Sequence, residues 1–167
     1  GYYCRGYTPR CQMEALEVGS DLLFPANLLP VPNPEHISPL ALAYIGDAVL
    51  ELYVRVHLVG SGKQRVNTLH KKAIQFVNAS TQANLLRNLE HSLSVEELAI
   101  AKRGRNAKPG HAPKNADMID YRYSTGLESL IGYLYLKRDY QRLDDIFNAL
   151  RNIVEVKEVN ANGSKTD

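Results

Sequence analysis

SPLALAYIGDAVLELYVRVHLVG, residues 38–60, reads as one long helix with both ends marked. Ser38 is placed to cap the first amide groups and Pro39 has the fixed φ of a first helical position, while Gly60 and Gly62 supply the stop. Between them almost every position is apolar: Leu42, Ala43, Tyr44, Ile45, Ala48, Val49, Leu50, Leu52, Tyr53, Val56 and Leu58. A helix apolar around most of its circumference belongs in the middle of a bundle. Its acidic and basic side chains are Asp47, Glu51 and Arg55, at i, i+4 and i+8, which sets them in one row. Glu51 before Arg55 is the favourable order for a helical ion pair. Asp47 is left over beside Gly46, and an unpaired carboxylate on such a helix calls for a cation to face it.

On either side of this segment the punctuation points the same way. Proline is absent from Leu40 to Lys108 and again after Pro113, and no run alternates apolar with polar residues long enough for a sheet. Further helices are expected over about Val66–Leu89, with a break near Asn78, and from Ser94, where Ser-Val-Glu-Glu forms a capping box, to Gly104. A loop over 105–120 is followed by helices over about Arg122–Leu136 and Asp139–Val156. The fold class is therefore all-α. Residues 1–37, with Pro25, Pro30, Pro32 and Pro34, form an extended arm. Residues 38–157 form the domain, and 158–167 a frayed tail.

Bulk composition excludes several classes. The 167 residues are 44% hydrophobic and 23% charged, with a formal net charge of +2. That is a globular composition, and no uncharged apolar run is long enough for a membrane span. Residues 1–12 lack the apolar stretch of a signal peptide. Cys4 and Cys11 lie outside the domain, and the five histidines are scattered, which argues against a zinc site. A thiol-poor chain suits a reducing compartment.

The helix after Arg122 repeats the design of the first, with Leu127, Leu130, Ile131, Leu134 and Tyr135 for the core and Glu128 as its one acid. Thr125 to Glu128 also fits a capping box, so Glu128 alone is ambiguous. Two solitary carboxylates on two core helices suit one divalent cation, and Mg²⁺, which keeps several waters and takes few carboxylates, is the natural choice. Cations gather elsewhere: Lys102, Arg103, Arg105, Lys108 and Lys114 precede the next acid, Asp117, and His70, Lys71 and Lys72 form a second cluster. Arg122 lies near Glu128. Each cluster singly is compatible with a solvated surface. Together with the acids they point to a phosphodiester substrate held through its phosphates. Asn106, Asn115 and Ser124 are candidate donors to sugar or phosphate, or else serve turns and caps.

Residues 41–51, ALAYIGDAVLE, resemble the signature helix of ribonuclease III catalytic domains, and Glu128-Ser-Leu-Ile-Gly132 resembles the later catalytic helix of that family. Arg103-Gly-Arg-Asn-Ala107, Pro113-Lys-Asn115 and Tyr121-Arg-Tyr-Ser-Thr125 resemble the Mini-III branch, which carries no separate double-stranded-RNA-binding domain. The likeness covers about residues 38–150. It implies an all-α homodimer that cleaves double-stranded RNA with Mg²⁺, Mn²⁺ being able to substitute, and a role in trimming ribosomal RNA precursors. DNA is not an expected partner. Asp47 and Glu128 match the catalytic, metal-holding acids. Two further acids of ordinary ribonuclease III fall at Ala43 and Thr125 here, which weakens the case for a fixed two-metal site. Without an accessory domain, the RNA-binding surface is expected from the 102–115 segment, the 70–72 cluster, Arg122 and Ser124. A bacterial cytoplasm is the expected location, or the stroma or matrix of an organelle of bacterial descent. The competing reading is a catalytically silent protein that binds structured RNA during ribosome assembly.

Overall fold

A computed structural model describes residues 33–62, 65–108 and 117–163, with side chains as far as Lys157. Among the described residues one 3₁₀ turn, Pro34–His36, leads into six helices: α1 (Pro39–Gly60), α2 (Val66–Val77), α3 (Ala79–Leu89), α4 (Val95–Asn106), α5 (Met118–Lys137) and α6 (Tyr140–Gly163). Among the described residues there is no strand. The domain is all-α.

The helix ends follow from side-chain chemistry. Ser38 Oγ accepts from the Ala41 amide at 3.3 Å, with Pro39 in the first turn. Asn78 works in both directions at once. Its Oδ1 accepts from the Thr81 amide at 2.8 Å and starts α3, while its Nδ2 donates to the carbonyls of Ile74 and Gln75 and finishes α2. Ser94 and Glu97 form the expected reciprocal box on α4, at 3.1 and 2.8 Å.

Three boundaries differ from the sequence reading. Gly104 does not stop α4. It lies inside the helix, where a Cβ would come 2.8 Å from the Ser129 Cβ, so the glycine serves a close helix crossing. α5 begins a turn before Arg122, because Asp117 Oδ1 accepts from the amides of Ile119 and Asp120. Glu128 is thus mid-helix and caps nothing, which removes the capping-box reading. α6 continues past Val156 to Gly163, where no proline intervenes.

The helix enclosed on most sides is α5, on which every residue from Ser124 to Leu134 except Glu128 is buried. It packs against α1, α3 and α4, with α1 the most extensive neighbour. α1 is a correction to the sequence reading. It buries only the face of Leu42, Ala43, Gly46, Leu50, Val54 and Leu58, and leaves Tyr44, Leu52, Val56 and Val59 more than half exposed. α6 closes the other side through Leu143, Ile146, Phe147, Leu150 and Val154, with Phe147 stacked on Tyr53 at 3.7 Å. Arg142 of α6 reaches Glu97 at 2.7 Å and the Ser92 carbonyl at 3.1 Å.

Two glycines set the spacing of α1 and α5. A Cβ on Gly46 would overlap the Glu128 carbonyl oxygen and stand 2.8 Å from the Gly132 nitrogen; a Cβ on Gly132 would overlap the Leu42 carbonyl oxygen. The backbones therefore touch where Asp47 leaves α1 and one turn beyond Glu128 on α5.

Candidate active site

That crossing brings Glu128 into the field of the Asp47 carboxylate. Glu128 is half-buried, and its pKa is pushed up to about 7, first by burial, then by the Asp47 carboxylate, against a hydrogen bond from Gln82 that favours the charged form. Asp47 stands at the solvent edge, its pKa raised by partial burial and then by Glu51 one turn on. Glu51 itself is engaged by Arg55, at 2.7 and 2.9 Å, as its helical spacing foretells. Among the described residues no Lys or Arg pairs with Asp47 or Glu128. Two like charges held together without a cationic side chain are a configuration that a divalent ion relieves.

The site is sparse. Among the described residues no group of three or more Asp, Glu, His or Cys surrounds it. Ala43 is buried and offers no ligand. Thr125 is 7% exposed, its hydroxyl donating to the Tyr121 carbonyl at 3.0 Å.

The sequence-predicted cations divide into groups. Arg103 is turned along the surface, donating to the carbonyls of Glu35 and Ile37, both at 3.1 Å, so it ties the segment before α1 to α4. Arg105 pairs with Glu90 at 3.4 Å and donates to the Tyr123 hydroxyl at 3.2 Å. Ser124 is 5% exposed and gives its proton to the Tyr121 carbonyl, so it faces the interior rather than a sugar. Lys102, Lys108, Asn106 and Arg122 are exposed. Arg105, Asn106 and Arg122 share a recess of about 180 Å³ with Ile119 and Tyr123 at the α4–α5 end. By helix rise, Arg122 lies roughly 9 Å along α5 from Glu128. His70 and Lys71 are exposed and Lys72 partly so, on α2, with His70 beside an apolar groove that also holds Arg55, Leu58 and Val66. Lys114 and Asn115 lie outside the described residues.

Two participants escaped the sequence reading. Arg87 of α3 stacks over the ring of Tyr123, a residue that lines the recess, at 4.5 Å and pairs with Asp120 at 2.9 Å. Nothing in a solitary Arg signals this. Gln82 was findable, as the polar member of an i, i+3, i+4, i+7 face otherwise made of Leu85, Leu86 and Leu89.

The ribonuclease III domain model matches residues 40–139, and so spans both acids. The chain belongs to the Mini-III branch of the ribonuclease III family. It is 43% identical over 136 residues to the Mini-ribonuclease 3 of Clostridium tetani, covering 79% of this chain and 90% of that one. Identity to the Mini-ribonuclease 3 of Brevibacillus brevis is 48% over 123 residues, covering 74% and 92%. A crystal structure of a Fusobacterium nucleatum protein superposes with a TM-score of 0.65 at 30% identity, over 71% of this chain and 96% of that one. As a member of the ribonuclease III family the chain is an endonuclease acting on RNA, in a family that works with a divalent metal ion. Among the described residues no helix is long and apolar enough to cross a membrane.

Proposed function

We propose that this ribonuclease hydrolyses phosphodiester bonds of double-stranded RNA with Mg²⁺ held by Asp47 and Glu128, that it works as a homodimer in the cytoplasm, and that ribosomal RNA precursors are its substrates. The observation that carries the reading is the pairing of Asp47 with the half-buried Glu128 without a cationic side chain. Mn²⁺ suits the same oxygen donors.

When bound, the cation supplies charge stabilisation at phosphorus and lowers the pKa of water near it. The chain does the rest. Asp47 and Glu128 present their oxygens from two helices whose relative position is set by the contact of Gly46 with the Glu128 backbone. The recess of Arg105, Asn106 and Arg122, with Arg87 behind Tyr123, supplies donors and positive charge for phosphates. Exposed Lys102 and Lys108, on and just beyond α4, extend that field. A-form duplexes offer 2′-hydroxyls and phosphates across a wide minor groove, so recognition rests mainly on shape. The dimer reading draws support from an exposed apolar row on α1, Tyr44, Leu52, Val56 and Val59, near-i+4 spaced and free of charge. The ribosomal substrate rests on the family resemblance alone.

The test is incubation of a long RNA duplex with the protein and Mg²⁺. Cleavage is expected from the wild type, and none from Asp47→Asn, which keeps duplex binding. Intact RNA at enzyme excess favours the silent RNA binder instead.

A further inference from the structure

The helix α4 closes without help from its last side chain. Its C-cap is Ala107, in extended conformation, with the amide donating to the Gly104 carbonyl at 3.1 Å. Asparagine is common at a helix end because it tolerates a left-handed backbone. Among the described residues, however, Arg138 is the one non-glycine residue with a positive φ. Asn106 is also exposed, and among the described residues its carboxamide has no hydrogen-bond partner. Neither turn nor cap chemistry accounts for it.

The surface around that carboxamide is mixed. Ile119, Arg122 and Tyr123, at i, i+3 and i+4, share a face of α5, and with Arg105 and Asn106 they line the recess of about 180 Å³. Arg105 is occupied by Glu90 and the Tyr123 hydroxyl. Arg122 is exposed and forms no ion pair among the described residues, so its guanidinium is open to a phosphate. Ile119 is 60% exposed and offers an apolar patch beside it. The carboxamide itself stands at the C-terminal end of α4, where the helix dipole is negative. That end disfavours an anion and suits a neutral group able to donate. A carboxamide both donates and accepts, and a hydroxyl answers it in both directions. Apolar patch, hydroxyl partner and cation together match a ribose with its phosphate. The 2′-hydroxyl is the group by which a protein tells RNA from DNA, and an A-form duplex displays it in the wide minor groove.

We propose that Asn106 is a specificity-determining residue: its carboxamide pairs with a 2′-hydroxyl of the duplex while Arg122 meets a phosphate of the same backbone, so that the recess favours RNA over DNA. The inference rests on the double-stranded RNA reading above and is independent of which ion the acids hold.

The test is a double-mutant cycle between residue and hydroxyl. The full chain, its Asn106→Leu variant and its Arg122→Gln variant each cut a labelled RNA duplex in Mg²⁺ while an unlabelled duplex of the same sequence competes. The competitor is either RNA or its 2′-fluoro analogue, which keeps the A-form and the phosphates but donates no hydrogen bond. One such bond is worth about threefold to tenfold in affinity. Wild type should prefer the RNA competitor, and Asn106→Leu should narrow that preference by this factor, losing affinity for RNA and holding its affinity for the fluoro duplex. Arg122→Gln should weaken both competitors alike and reduce the salt slope. An unchanged preference in Asn106→Leu overturns the proposal, whether affinity falls for both duplexes or for neither. Failure of both Asn106→Leu and Asn106→Ala to fold assigns the residue to the helix end and also overturns it. A wild type that leaves the labelled duplex intact sinks the nuclease reading itself, a result visible before any competitor is added.

Discussion

Replacing Glu128 by Gln should stabilise the metal-free protein at alkaline pH. The folded-state pKa of Glu128 is raised from 4.5 to about 7, by burial first and the Asp47 charge second. For a carboxyl raised in this way, the unfolded chain loses its proton first as pH increases. Its favourable contribution is fully present below pH 4.5 and is lost as pH rises through about 7. Above that window, keeping the charged group costs the fold roughly 3 kcal/mol. Gln mimics the protonated acid and keeps an acceptor for Gln82, so at pH 8 in EDTA the variant should gain up to that amount, or roughly 5–10 °C in melting temperature. At pH 4.5 the two proteins should converge. Added Mg²⁺ should raise the melting point of the wild type and leave the variant unmoved. The assay is thermal unfolding followed by circular dichroism across pH 4.5–8.5, with EDTA or Mg²⁺. A variant that melts below wild type at pH 8 in EDTA would refute the reasoning, because the carboxylate would then be satisfied within the fold.

Three further outcomes are expected. Gly46→Ala drives a methyl into the Glu128 carbonyl, backbone against backbone, and should cost about 3 kcal/mol, read as a lower urea midpoint. Arg142→Ala strands Glu97, whose pKa burial alone would raise but which hydrogen bonds from Arg142 and Ser94 bring below normal; the loss should be about 2 kcal/mol near neutrality, shrinking as pH falls through the Glu97 titration. Joint replacement of Lys102, Lys108 and Arg122 by Gln should leave the melting temperature unchanged and weaken duplex binding, with the salt slope reduced by about one for each phosphate that is no longer neutralised. Arg103 and Arg105 do not belong in that set, since their guanidinium groups hold the fold together.

How much the sequence discloses depends on whether a signal is local. Helix starts at Ser38 and Ser94 and the break at Asn78 are legible because the capping residue and its partner are within four positions. Gly104 misleads because a glycine looks the same whether it ends a helix or admits a neighbour, and only the position of Ser129 on α5 distinguishes the two. α1 misleads for a related reason: apolar periodicity reports that a face avoids water, but not whether this chain or another covers it. At the site, the acids stand out as charges without local partners. The fates of the cations do not, because Arg103 finds its acceptors 66 and 68 residues away, and Arg87 finds Tyr123 and Asp120 across an entire helix.

On the proposed reading, the absence of a carboxylate at Ala43 and Thr125 and the burial of Glu128 belong together. Four carboxylates in water-accessible positions hold a cation by number; two must hold it by field, and a half-buried carboxylate beside a second one provides that field because neither has a cationic side chain to neutralise it. On the proposed reading the cost is competition from protons: Glu128, its pKa pushed up to about 7, would exchange its proton for the metal, and cation binding should strengthen as pH rises through that value. The same uncompensated charge repels a phosphate until the cation arrives. On that reading duplex capture falls to the recess of Arg105, Asn106 and Arg122, separated from the acids along α5. Binding without metal and cutting only with it follow from that separation, and a chain whose duplex affinity collapses in EDTA would not be built this way.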